Sequence, residues 1–258
     1  MLGSLRQTRS LQSCYRISLS NTRVDLVVWP PPTTVESQSG QMKRTTLQEA
    51  KDFATFPLRA LTLFHEDRWG LSSLASERFD YVAREVVGRC LDVGCGYHNK
   101  FVTKWLGGNG KGIDVFQYAG LSQEDIVEDM AHFPFEDASF DSITFIANLN
   151  HVPRSDRDAE LAEAYRCLKP GGNVIVTMGN PLAELAVHKV VEWHDRLLGT
   201  RYDMDSERGM GAEEAYYLKD SEITERLVRA GFGDLTKKYF LTQWGLNHLW
   251  MGWKKSVT

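Results

Sequence analysis

The stretch RCLDVGCGYHNKF, residues 89–101, decides the fold. Arg89 to Val93 read as a short buried strand that runs straight into the turn Gly94-Cys95-Gly96. Glycines at 94 and 96 let the chain turn sharply and bring its backbone against a ligand with no Cβ in the way. KFVTKWLGG then reads as a short helix closing on Gly107 and Gly108, so strand, turn and helix open a βαβ unit.

Outward from this turn, strand and helix signals alternate. KGIDVF is a second strand, EDIVEDM a short third one, FDSITFIAN an apolar, β-branched fourth and NVIVTM a fifth. Between the last two, Ser155 is placed to cap DRDAELAEAYRCL, whose Leu161, Ala164, Tyr165 and Leu168 make one face. Lys169-Pro170-Gly171-Gly172 stops that helix. Strands alternating with helices over residues 89–178 predict βαβ units and a parallel sheet, and short buried strands without strict alternation suit helices on both faces, a doubly wound α/β domain. Upstream, LQEAKDFATF and ASERFDYVAREVVG are helical, and residues 46–87 read as an N-terminal helical lid that includes Trp69. Downstream, a helical insertion over residues 180–219 precedes SEITERLVRAGF and a final aromatic strand pair.

Composition narrows the function classes. Among 258 residues, 42% are hydrophobic and 25% charged, with a formal net charge of −4, so neither polyanions nor anionic lipid are attracted in general. No apolar run approaches the ~20 residues that span a bilayer. Cys14, Cys90, Cys95 and Cys167 form no C-x-x-C pair, which fits a reducing compartment, and a cytoplasmic location is expected. Residues 1–41, with four arginines before the first acid at Asp25, are either a disordered transit-type leader, and then an organellar address, or a stretch upstream of a true start at Met42. Residues 42–258 form the folded domain.

In an open parallel sheet, ligands bind beyond the carboxyl ends of the strands, beside the first. A dinucleotide fingerprint would place its third glycine where Asn99 stands, and would place Asp92 beside a pyrophosphate. A carboxylate there suits a cationic ligand without phosphates, such as S-adenosylmethionine. Asp114, at the end of the second strand, is placed to accept ribose hydroxyl protons, and Asp129 an adenine amino proton.

LDVGCG, KGIDV, VEDMAHFPFEDASFDSITFIANLNHVP and LAEAYRCLKPGGNVIVT, in this order, resemble the class I S-adenosylmethionine-dependent methyltransferases, in particular the type 11 small-molecule group. The resemblance covers roughly residues 76–180. It implies a Rossmann-like seven-stranded sheet, mostly parallel with the last strand antiparallel. It also implies a cofactor site made of Asp92, Gly94, Cys95, Gly96, Asp114, Asp129, the backbone of Met130 and Ala131, and Asn148. This chain departs from the family's G-x-G-x-G form at the third glycine, which is His98.

Methyl transfer to a small-molecule acceptor is the expected activity, and His151 in NLNHVP is the candidate general base if the acceptor is a hydroxyl. The alternatives are a cofactor-binding protein without turnover and an NAD-dependent oxidoreductase. His188 and His194 are six residues apart and lack a completing carboxylate, so no metal site is expected. Trp193, Tyr216, Tyr217, Trp244 and Trp250 are either core or the floor of an aromatic pocket. Residues Asn148-Leu149-Asn150-His151 stand where a base-flipping amino-methyltransferase would carry Asn-Pro-Pro-Tyr, which argues against nucleic acid.

Overall fold

A computed structural model describes residues 15–16, 44–61, 67–179 and 217–256. Its strands are β1 (Tyr15–Arg16), β2 (Cys90–Val93), β3 (Gly110–Ile113), β4 (Phe140–Ile146), β5 (Leu168–Gly179), β6 (Gly233–Tyr239) and β7 (Asn247–Trp253). Helices α1 (Thr46–Leu61), α2 (Leu74–Ala83), α3 (Arg157–Cys167) and α4 (Asp220–Arg229) accompany them. The sheet order is β1-β6-β7-β5-β4-β2-β3. The framework is the six strands β2–β7. Of these only β7 runs against the rest, paired antiparallel to both β5 and β6. The mixed, doubly wound α/β architecture is therefore as expected.

The count of seven is not reached in the expected way. The strand expected over residues 124–130 contracts to a single parallel bridge between Asp114 and Ile126, and β1 is only a two-residue ribbon antiparallel to the outer edge of β6. The reason is local. Ser122 and Asp125 form a reciprocal capping box that winds Gln123–Asp125 into a 3-10 turn. With acids at 124, 125, 128 and 129, only Ile126 and Val127 remain to make a strand. The helix expected after the glycine turn is likewise shorter, a single π turn over Phe101–Trp105. Asp156 rather than Ser155 occupies the N-cap of α3.

Burial explains the layering. On one face Leu161, Ala164 and Cys167 of α3 and Ile223 and Leu227 of α4 pack with Val174, Val176 and Trp250 of the sheet. On the other, Val82 and Ala83 of α2 and Phe101 and Val102 pack with Ile175, Leu249 and Met251. Strand residues 174, 175 and 176 alternate between these two cores, the period-2 geometry of a sheet covered on both sides.

Helix α1 packs against a short 3-10 turn, Leu241–Gln243, and a buried ionic network ties it to α2. Arg59 grips Glu77 with both guanidinium nitrogens, at 2.9 and 3.3 Å, and both side chains are fully buried. Gln243 Nε2 donates to the same carboxylate at 2.8 Å, and Arg44 reaches Glu77, Asp52 and Asp80. A cavity of about 420 Å³ lies beside this network, lined among others by Arg44, Asp67, Trp69, Asp80 and Trp105. It includes none of the glycine-turn residues. Trp69 on its rim is 86% exposed.

Candidate active site

The site grows from the end of β2. Gly94 and Gly96 both have positive φ, +74° and +62°. Backbone N–H groups of Gly94 and Cys95 donate to the Ile113 carbonyl at 2.8 and 3.1 Å, which pins the turn to the end of β3. A Cβ at position 94 would sit 2.3 Å from Asn148 Cγ, so the glycine makes room for the side chain that follows β4. A Cβ at position 96 would meet nothing within 4 Å, so that side of the turn is open.

The missing third glycine has a structural answer. His98 and Asn99 take the left-handed conformation themselves, at φ +59° and +44°. Histidine and asparagine are among the side chains that tolerate this region best. His98 N–H donates to Ala119 O at 2.8 Å, and the imidazole packs over Gly120, where a Cβ would be 2.2 Å from Nδ1. Asn99 lies against Gly112 in the same way, with its Oδ1 buried and without a hydrogen-bond partner. Thus two non-glycine residues take a left-handed backbone that glycine would adopt freely, at a cost of roughly 1 kcal/mol per residue.

Two carboxylates close on this turn. Asp114 is 5% exposed; its Oδ2 accepts from Gly96 N–H and its Oδ1 from Phe116 N–H, each at 3.0 Å. Each oxygen keeps a lone pair for a ligand hydroxyl. Asp92, 2% exposed, accepts a 2.7 Å hydrogen bond from Thr144 Oγ1. Its carboxyl is raised to about 7, by burial above all, against the pull of the Thr144 hydroxyl and with a further push from the negative Asp114 nearby. Cys95 beside them is a protonated thiol, raised by its burial and by the acids Asp92, Asp114 and Asp125.

The raised Asp92 carries a stability consequence. The folded protein holds that proton from about pH 4, the unfolded value, up to about pH 7. Its contribution is full below pH 4 and lost as pH rises through 7. Asp92→Asn should therefore stabilise the ligand-free protein in alkali, by about 2 kcal/mol at pH 8 after allowing for the new amide, with no gain at pH 4. Urea melts at the two pH values measure this, and an equal effect at both would contradict it.

Other site residues expected from sequence fall differently. Asp129 is solvent-facing where the other two acids are buried, 67% exposed at its side chain, accepting from Ala131 N–H and paired with His132 Nδ1, both at 2.9 Å. That His132 bond, first, and then the Ala131 N–H hold its carboxyl below the usual range. Met130 is buried in the core. His151 follows Asn148 in a turn, its N–H donating to Asn148 O at 2.7 Å, and is half-buried. Trp250 lies in the core and Trp244 is half-exposed against Phe53 and Phe56. His188, Trp193, His194, Tyr216 and most of the 180–219 insertion lie outside the described residues, as do residues 1–41 apart from β1. Among the described residues no cluster could hold a metal ion.

Sequence reasoning missed two features. Tyr97, Phe116 and Tyr118 form an aromatic group next to Asp114, with ring centroids 4.5 Å apart for Tyr97–Tyr118 and 6.0 Å for Phe116–Tyr118; Tyr97 and Phe116 are exposed. Thr144 was the other. Its only signal was a hydroxyl in the middle of the apolar run FDSITFI.

Residues 91–176 match the family model described as a methyltransferase domain. Over this segment the chain is similar to the type 11 methyltransferases. The matched segment contains Asp92, the glycine turn, Asp114, Thr144 and Asn148, so every element of the site described above falls within the match. The chain is 32% identical over 139 residues to a ubiquinone/menaquinone biosynthesis C-methyltransferase UbiE of Desulfotalea psychrophila, covering 48% of this chain and 52% of that protein. It is 29% identical over 148 residues to the UbiE of Brucella canis, covering 55% and 51%. The chain thus spans about half the length of the curated relatives it matches. In three dimensions it resembles a chain of the complex between the Haloferax volcanii Trm112 methyltransferase activator and a methyltransferase, with a TM-score of 0.52 and 13% identity, covering 80% of this chain and 98% of that one. The family's cofactor is S-adenosylmethionine.

Proposed function

We propose that this protein transfers a methyl group from S-adenosylmethionine to a small-molecule acceptor by in-line displacement. The observation that carries the reading is the buried carboxylate pair Asp92 and Asp114 on either side of a glycine turn whose one side is open. When bound, the cofactor supplies a methyl carbon already activated by a cationic sulfur. Asp92 supplies the negative charge that its cationic methionine end requires. Asp114 accepts from the ribose hydroxyls with the lone pairs left by Gly96 and Phe116. Tyr97, Phe116 and Tyr118 offer the adenine apolar ring faces, Asp129 and the Met130–Ala131 backbone its edge, and Asn148 borders the methionine.

The chain's remaining task is to hold the nucleophile about 3 to 3.5 Å from the methyl carbon and in line with the sulfur, and to exclude water. A base is not required by the displacement itself; for a hydroxyl acceptor, His151 takes the proton. The quinone-pathway relatives methylate carbon by name, so a carbon nucleophile on a hydroxylated aromatic is the first acceptor class to test. Nucleic acid is not the proposed substrate. A cytoplasmic setting suits the three described cysteines, all free thiols. Among the described residues no helix is long and apolar enough to cross a membrane.

The experiment is a transfer assay with methyl-labelled S-adenosylmethionine and a panel of hydroxylated aromatics. Label in an acceptor together with S-adenosylhomocysteine in equal amount is expected. Cofactor binding without transfer to any of them would instead favour a binding protein.

A further inference from the structure

We infer that Thr144 is a positioning residue for the cofactor, holding Asp92 in the orientation and the ionised form that bind the methionine end; this deepens the function proposed above and rests on it. Thr144 lies directly across from Asp92 in the parallel pairing of β2 with β4, and it is fully buried. Its hydroxyl has one proton and two oxygen acceptors in reach, Asp92 Oδ1 at 2.7 Å and Leu91 O at 3.4 Å. The shorter contact takes the proton. Cys90 Sγ lies 3.8 Å from the same Oγ1, and its thiol, raised well above its ordinary value by burial and by Asp92, stays protonated and able to donate. Cys90, Thr144 and Asp92 thus form a directed chain of donors ending on the carboxylate.

A fully buried hydroxyl in a strand is costly unless paired, and an apolar side chain of the same shape would fill this place at no such cost. What the hydroxyl supplies is a donor that favours the charged form of Asp92, working against burial and against Asp114 at the end of β3. Besides Asp114, the titratable groups facing Asp92 among the described residues are Cys90 on its own strand and Cys95 in the turn. The neighbouring strand β4 contributes the Thr144 hydroxyl. Without it, a neutral Asp92 would face a cationic ligand end.

The test compares wild type, Thr144→Val and Thr144→Ser. In the ligand-free protein, the titration midpoint of the Asp92 carboxyl, followed by its carbon resonance, should rise by about one pH unit in Thr144→Val and stay within a few tenths of a unit in Thr144→Ser. Calorimetric affinity for S-adenosylhomocysteine should fall about fivefold in Thr144→Val at pH 7, as the ionised fraction drops, and recover by pH 9. An unmoved Asp92 midpoint, or an affinity loss equal at both pH values, would overturn the inference. Should Thr144→Val fail to fold, Thr144→Ala read against Thr144→Ser by the same two measurements decides the matter. A moved midpoint with no binding of S-adenosylhomocysteine to any of the proteins, wild type included, would refute the proposed function and with it the cofactor role of Thr144.

Discussion

Asp114→Ala is expected to weaken binding of S-adenosylhomocysteine by at least a hundredfold. Two losses combine. The two lone pairs proposed for the ribose hydroxyls disappear, and hydrogen bonds to a charged acceptor contribute about 1.5 to 3 kcal/mol each. At 1.4 kcal/mol per factor of ten, two such bonds span roughly two to four decades of affinity. The Gly96 and Phe116 N–H groups also lose their acceptor, so the turn itself loosens. Asp114→Asn separates the two losses. Its amide oxygen can still accept from Gly96, so the turn should hold while affinity falls by an intermediate amount. Calorimetry on the three proteins measures the first effect, and amide exchange at Gly96 measures the second.

Glu77→Ala is expected to destabilise the fold by about 3 to 5 kcal/mol, the range for removing one partner of a buried ion pair. The loss is one-sided. Arg59 would keep its charge in a site with no exposure, and Gln243 Nε2 and Arg44 would each lose a contact. These partners join α1, α2 and the Leu241–Gln243 turn, so the melting transition as a whole should move to lower urea concentration. Pairing the change with Arg59→Met should recover much of the loss, since an apolar replacement of both charges leaves no unpaired ion. A drop below about 1 kcal/mol for Glu77→Ala alone would show the network to be solvated.

The sequence made some of this legible for identifiable reasons. β2, β4 and β5 were readable because runs such as Cys90–Val93 and Ile143–Ile146 are mostly apolar, each interrupted by one polar residue rather than by strict alternation, as suits strands covered on both faces. The two carboxylates were readable because each stands near the carboxyl end of a short strand, Asp92 one residue before the end of β2 and Asp114 one residue after β3. Residues 124–130 misled for the opposite reason: their flanking acids satisfy a capping box and a turn, which is tertiary detail that alternation does not encode. His98 and Asn99 broke the glycine pattern by identity yet take a left-handed backbone that sequence alone did not reveal. Thr144 was visible as a residue but not as a partner, because its role depends on the register between two strands that are 52 residues apart in sequence. Asp129 ends its segment as expected, yet it is solvent-facing and bound to His132, so only the first two of the three acids form a buried pair.

The most direct test is a calorimetric titration of the full chain with S-adenosylhomocysteine at pH 8, repeated in excess NADH. The buried carboxylate pair predicts one site per chain, occupied by the phosphate-free nucleoside and unaffected by the dinucleotide. Displacement by NADH, or no heat from S-adenosylhomocysteine alongside saturable NADH binding, would contradict it.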